Sequence, residues 1–240
     1  MGQRKIAVFV NDDDFFYADG LKKFLAQTKF EISGIFTFPG LVDPIGKRKY
    51  TIASALIVGP LFVLKYIFSV RKHSLKSVAK EYKIPYFKID SVNSEETKAL
   101  IPGMNINLVL SLCSQIYRKE ILNIPQLKIL NFHPSLLPSH KGRFPIFWAI
   151  MKNSVQGFTC HEITEKIDSG RILFQKKFNL QGRVSVAEIL NEFISRCPEF
   201  LEEALNRNFE GRFEELTSIT RTPSYEPTPN LSEIIRYWFS

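Results

Sequence analysis

Five short apolar runs set the limits on this fold: KIAVFV (5–10), EISGIFTF (31–38), SALIVG (54–59), NLVLSLC (107–113) and LKILNF (127–132). Each has strand length, and most lack the alternation of a strand with one wet face. They are therefore buried on both sides, as strands of a parallel sheet are. The intervening segments DGLKKFLAQT, SLKSVAKEYKIP, SEETKALIP and KEILNI have helical spacing, and PYFKI reads as a further short strand. Strands alternating with helices predict an α/β fold, a Rossmann-like, mostly parallel sheet with helices on both faces.

The pattern changes after Trp148. GFTCHEIT and RILFQKKFNL alternate as strands around the turn EKIDSG, in which Gly170 is expected to accept a positive φ. SVAEILNEFISRCPEFLEEALNRN reads as a helix, with Ser185 as N-cap and Glu188 completing a capping box. The proline-bearing, aromatic end TSITRTPSYEPTPNLSEIIRYWFS is expected as an appendage. The predicted organisation is a main domain over 1–182, with a C-terminal helix and extended appendage over 183–240 packed on it.

The run IASALIVGPLFVLKYIFSV (52–70) approaches membrane-spanning length, but Gly59-Pro60 divides it and Lys65 interrupts it. It is read as a buried strand (Ala53 to Val58), a turn and a helix from Pro60 toward Tyr82, with no membrane span. The net charge is +8, yet the basic residues are scattered, with small clusters at Lys47, Arg48, Lys49 and at Arg71, Lys72, His73. Such dispersion predicts no nucleic-acid face, because an electrostatic footprint must be concentrated. Anionic small substrates are equally well served. Cys113, Cys160 and Cys197 form no CxxC pair, which suggests neither disulfides nor zinc and fits a reducing cytoplasm. The N-terminus, with too short an apolar segment for a signal peptide, agrees with a cytoplasmic location.

Strand alternation places Asn131 and His133 on one face at the carboxyl end of LKILNF, the edge where ligands bind in doubly wound sheets. Taken singly, an asparagine and a histidine beside a proline turn, or an aspartate such as Asp168 in a loop, serve equally well to bond local backbone. Together, NFHPSLLPSHKGRFPIFWAI and GFTCHEITEKIDSGRILFQKKF resemble the signature of the folate-dependent formyltransferases. In that family an asparagine, a histidine and a later aspartate form a catalytic trio, here Asn131, His133 and Asp168. The resemblance covers most of residues 75–205, including SLCSQIYRKEIL at the pterin-contacting loop. It implies transfer of a formyl group from 10-formyltetrahydrofolate to an amine, without a metal. The donor is expected to contact main-chain groups around Ser114, Gln115 and Ile116 and the loop residues Lys166 and Ile167.

The chemistry suits the residues. Amine attack on the formyl carbon creates an oxyanion, which protonated His133 and the Asn131 amide can bind, while Asp168 holds the imidazolium and shuttles protons. Equally, neutral His133 can be the base, with Asn131 and a backbone N–H at the oxyanion.

Within the family, the enzyme acting on glycinamide ribonucleotide has a Gly-Ser-rich phosphate loop after its first strand; here NDDDFFYADG presents aspartates instead. Initiator-tRNA formyltransferases carry an extra C-terminal domain and formyltetrahydrofolate hydrolase an N-terminal one, and 240 residues are read as accommodating neither. The resemblance is thus to the sugar-nucleotide N-formyltransferase branch, loosely supported by PTPNLSEIIRYW. The expected acceptor is a nucleotide-linked amino sugar, first a dTDP-4-amino-4,6-dideoxyhexose for surface glycan (O-antigen) synthesis. A 3-amino isomer, a uridine-diphosphate amino-pentose, glycinamide ribonucleotide, Met-tRNA and a non-catalytic binding role are the alternatives.

Lys76, Lys80 and Arg143 are candidates for the diphosphate. Tyr225, Tyr237 and Trp238 are candidates for stacking on a base or sealing a homodimer, which the apolar tail and the 52–70 run suggest. Phe147 and Trp148 are expected in the core. A serine hydrolase using Ser135 with His133 lacks a GxSxG elbow, and a metal site would need His133, His140 and His161 to converge.

Overall fold

The computed structural model describes residues 5–40, 52–53, 55–59, 73–179, 182, 184–214 and 222–239. The runs read as strands form β1 (Lys5–Asn11), β2 (Ile32–Phe38), β4 (Ile106–Leu112) and β5 (Lys128–His133), with β3 (Tyr86–Lys88) between them in sequence. Helices α1 (Asp14–Gln27), α2 (Leu75–Glu81), α3 (Glu95–Gly103) and α4 (Lys119–Leu122) connect them. Then follow β6 (Lys141–Gly142), α5 (Pro145–Met151), β7 (Gly157–Glu162), β8 (Ile172–Lys177), α6 (Val186–Glu210), β9 (Tyr225–Glu226) and α7 (Leu231–Phe239).

The main sheet has seven strands in the order β3-β2-β1-β4-β5-β7-β8. Pairings from β3 through β5 are parallel, and β7 and β8 extend the sheet antiparallel. The order reverses direction at β1 and β4, which opens a crevice at their carboxyl ends.

Both faces of β1 are buried. Ile6, Val8 and Val10 enter the larger cluster with α1, α2, α5 and α6, whereas Ala7 and Phe9 enter the smaller one with Ile101 of α3 and Ile121 of α4. The capping box of Ser185 and Glu188 starts α6, whose Phe200 ring lies 3.7 Å from that of Phe158, centroid to centroid. Phe147 and Trp148 are buried.

Three expectations are corrected. Residues 52–53 and 55–58 are helical, not a strand, with the Gly59 N–H bonded to the Ala55 carbonyl at 3.2 Å. Ala53 and Ile57 are buried while Ile52 and Leu56 are exposed, a four-residue spacing that an unbroken apolar run conceals. Gly59 then takes a φ of +87°, the left-handed conformation that favours glycine after a helix. The helix expected from Pro60 toward Tyr82 is capped at Ser74, and residues 60–72 lie outside the described residues.

Gly170 does not take a positive φ; Asp168 does, at +47°. Gly170 is needed because a Cβ there would lie 1.9 Å from the Glu162 carbonyl oxygen. Tyr237 and Trp238 are engaged within the chain. The Tyr237 ring lies 5.4 Å from Phe147 and its hydroxyl accepts from the Val186 N–H, while Trp238 Nε1 donates to the Leu56 carbonyl at 2.9 Å. Among the described residues no helix is long and apolar enough to cross a membrane.

Candidate active site

A cleft of ≈ 350 Å³ opens at the carboxyl ends of β1, β4 and β5, lined among others by Asn11, Ser114, Asn131, His133, Arg143, His161, Asp168 and Tyr225. Asn131 and His133 reach it from the last turns of the β5 pleat. The antiparallel register sets Asn131 opposite His161 of β7, and Asn131 Nδ2 lies 3.2 Å from His161 Nε2. His161 Nδ1–H donates to the Glu162 carbonyl at 2.9 Å, so Nε2 carries the lone pair that receives the Asn131 amide. Burial first, and the adjacent His133 second, push the His161 pKa from 6.5 to about 4, which keeps the ring neutral.

His133 is buried, and its Nε2–H donates to the His140 carbonyl at 2.9 Å. A carbonyl only accepts, so Nδ1 is the nitrogen left for chemistry. Asp168 stands between two imidazoles. Its Oδ2 is 3.7 Å from His133 Nδ1, its Oδ1 is 3.7 Å from His161 Nε2, and Oδ2 accepts the Gly142 N–H at 2.9 Å. Both imidazole distances exceed hydrogen-bond length, and a Coulombic attraction to Asp168 arises only where an imidazole is protonated, which His161 is not.

The wall opposite is held by its own bonds. Gln115 accepts the Val92 N–H and donates to the Pro39 carbonyl, and Asn93 bonds the Ile116 carbonyl and the Arg118 N–H. Asn11 Oδ1 accepts both N–H and hydroxyl of Ser114 at 3.1 Å. This loop is therefore preformed. Cys113 lines it without being a nucleophile, since burial raises its thiol pKa to about 12.

Residues 66–205, more than half of the chain, match the formyl transferase family model. The chain belongs to the formyl transferase family. A methionyl-tRNA formyltransferase from Clostridioides difficile (strain 630) is 29% identical over 160 residues, 66% of this chain and 52% of that protein. The chain thus spans about half the length of that relative. Among solved structures, a sugar N-formyltransferase from Shewanella sp FDAARGOS_354 aligns with a TM-score of 0.60 at 19% identity, over 93% of this chain and 76% of that one. A phosphoribosylglycinamide formyltransferase from Anaplasma phagocytophilum aligns with a TM-score of 0.62 at 15% identity, covering 94% and 100%. At these identities the structural likeness speaks to the fold.

In this member of the formyl transferase family the cleft gathers Asn131, His133, Asp168, Ser114, Gln115, Ile116, Ile167, Arg143 and Tyr225. Lys166, exposed on the 165–170 turn, and Lys76, exposed on α2 beside Lys80, are not part of its lining. Ser135 gives its hydroxyl proton to the Ser139 carbonyl at 2.9 Å, which removes the serine hydrolase reading. The three histidine rings do not converge: His140 turns to Glu226 and Ser154, and no metal-binding group of His, Cys, Asp or Glu occurs among the described residues. Sequence reasoning overlooked the polar roles of His161, Gly142 and Glu226. Only His161 had a local signal, its place within an alternating strand.

Proposed function

We propose that this chain moves the formyl group of 10-formyltetrahydrofolate to the amino group of a nucleotide-linked amino sugar. The observation that carries the reading is the convergence of the Asn131 amide, the His133 imidazole and the Asp168 carboxylate on one cleft at the sheet's carboxyl edge. The amine attacks the formyl carbon, and the oxyanion that forms is bound by the second Asn131 N–H and by His133 Nδ1–H in the imidazolium state. Asp168 stabilises that cation and relays the amine's surplus proton. The tetrahedral adduct then collapses, breaking the bond to the folate nitrogen, which leaves protonated. In the competing assignment neutral His133 takes the amine proton at the same Nδ1. The preformed 114–116 loop and the Lys166–Ile167 turn are assigned to the folate, Arg143 and Tyr225 to the nucleotide, with Lys76 a remoter candidate for its phosphates.

The acceptor preference follows from charge. A phosphate-binding turn after β1 would meet Asp12, ion-paired with Lys88 at 2.6 Å, and Asp13 rather than a run of glycines. That disfavours glycinamide ribonucleotide. At the cleft, Arg143 supplies a cation, and the Tyr225 ring, 63% exposed, supplies a face for a base. A dTDP-4-amino-4,6-dideoxyhexose is the first-choice acceptor, formylated in the cytoplasm by a homodimer for surface glycan (O-antigen) synthesis. Methionyl-tRNA is the second reading, favoured by the similarity to the Clostridioides difficile protein.

The test incubates the purified protein with 10-formyltetrahydrofolate and a panel of nucleotide-linked amino sugars, glycinamide ribonucleotide and methionyl-tRNA, and scores the gain of one formyl group by mass spectrometry. Formylation of a sugar nucleotide is expected. Formylation confined to the ribonucleotide or the tRNA overturns the acceptor assignment, and formate release without a formylated product overturns transfer itself. Sedimentation as a concentration-independent monomer removes the homodimer.

A further inference from the structure

The C-terminal strand carries a buried carboxylate that the chemistry above does not use. Glu226 of β9 is 3% exposed, and its Oε1 receives Lys152 Nζ at 2.6 Å and the Ser224 hydroxyl at 2.9 Å. The same oxygen lies 3.1 Å from His140 Nδ1, whose ring is completed by Ser154 Oγ at 3.0 Å from Nε2. The His140 backbone N–H donates to Ser224 Oγ at 2.9 Å. His140 needs this much support because its φ is +58°, a conformation uncommon for a non-glycine residue that persists only when its surroundings over-determine it.

His140 matters through its main chain. Its carbonyl accepts His133 Nε2–H, and two residues on the Gly142 N–H holds Asp168. Between them, β6 pairs with β9, the Lys141 N–H bonding the Ser224 carbonyl at 2.9 Å and the Arg143 N–H the Glu226 carbonyl at 3.1 Å. One short loop, clamped by the tail, thus holds both the histidine and the aspartate.

We infer that Glu226 is a positioning residue: through the His140 ring it fixes the His140 carbonyl, and with it the tautomer and orientation of His133, so that the C-terminal strand completes the active site. The inference rests on the role given to His133 above. A buried charged group adds little stability over apolar side chains of equal volume; its contribution here is a single geometry. Removing such support from behind a catalytic group commonly costs 10- to 100-fold in activity, as a misplacement of about 1 Å does.

The experiment combines nitrogen-15 NMR of the histidine rings with kcat and KM for wild type, Glu226→Ala and Glu226→Gln. Whenever its ring carries a single proton, wild-type His133 is expected to hold it at Nε2, on the His140 carbonyl. In Glu226→Ala its signals should move toward a mixture of tautomers, with kcat lower by about 10²-fold and both KM values within about threefold. Glu226→Gln keeps an acceptor for His140 Nδ1–H and should stay within about tenfold of wild-type kcat. An unchanged His133 tautomer and kcat in Glu226→Ala, with only a lower Tm, overturns the inference. Should Glu226→Ala not fold, Glu226→Leu, which removes the acceptor of His140 Nδ1–H while keeping side-chain volume, supplies the same test, and an unchanged tautomer and kcat there overturn it equally. His133→Ala with full turnover would instead refute the role of His133, leaving the NMR result to judge the link by itself.

Discussion

Two polar clusters meet at the 140–142 loop, and they are built oppositely. Behind the loop, His140, Lys152, Ser154, Ser224 and Glu226 are joined at 2.6 to 3.1 Å, with both His140 ring nitrogens engaged. In the cleft, Asp168 stands 3.7 Å from each of two imidazoles. The rear cluster is electrostatically settled as well. Burial lowers the His140 pKa, and although burial works to raise that of Glu226, hydrogen bonds from Lys152, Ser224 and His140 hold it below the usual carboxylate range. The contrast teaches where reactivity resides. Satisfied groups hold a frame, and groups with hydrogen-bond capacity left over face the space that reactants enter.

The sharpest attempt to break this contrast is His133→Ala or Asp168→Ala. Each is expected to lower turnover by about 10²- to 10⁴-fold with little change in Tm, measured with both substrates in excess. Full activity in either would erase the distinction between the clusters. Asn131→Ala, the loss of one oxyanion donor, should cost about 10²- to 10³-fold in kcat with folate binding largely retained, and a calorimetric titration alongside kinetics separates the two.

A smaller effect concerns acid. The His161 pKa in the fold is about 4 against an ordinary 6.5, so between those values the unfolded chain binds a proton that the folded ring refuses. Stability from this group is complete above pH 6.5 and falls progressively toward pH 4, by on the order of 3 kcal/mol over the window. His140, displaced in the same direction by burial, adds to the slope. His161→Gln should remove its share, seen as a smaller difference between urea midpoints at pH 7 and pH 5; an unaltered difference would mean that His161 is not held neutral. Smallest is Trp238→Ala, which touches neither cluster. Losing the bond to the Leu56 carbonyl and the contact with Gly59 should cost about 1–2 kcal/mol and leave kcat unchanged. A loss of turnover there would show that the tail acts on the site by more than Glu226.

Legibility followed the range of the interactions. The parallel half of the sheet could be read because β1, β2, β4 and β5 are largely buried on both faces and leave runs dominated by apolar residues. SALIVG misled for the same reason: four apolar residues in a row, Ala55 to Val58, fit a strand or a helix alike, and in the fold they are helical. The motif carrying Asn131 and His133 was visible because two residues of strand period suffice to align them. Glu226 was invisible, because it meets His140 from 86 residues away and nothing near it in sequence signals a buried acid.

What the sequence by itself determined was therefore local: which runs are buried, that Asn131 and His133 share a face, and that Ser185 and Glu188 cap a helix. Neighbouring residues impose these through strand period, burial and caps. Only the tertiary structure decided that His161 lies opposite Asn131, that the His140 carbonyl receives His133 Nε2–H, and that the chain's last strand closes beneath both. Those pairings depend on how distant segments bury one another, and their geometry exists only once the whole core has packed.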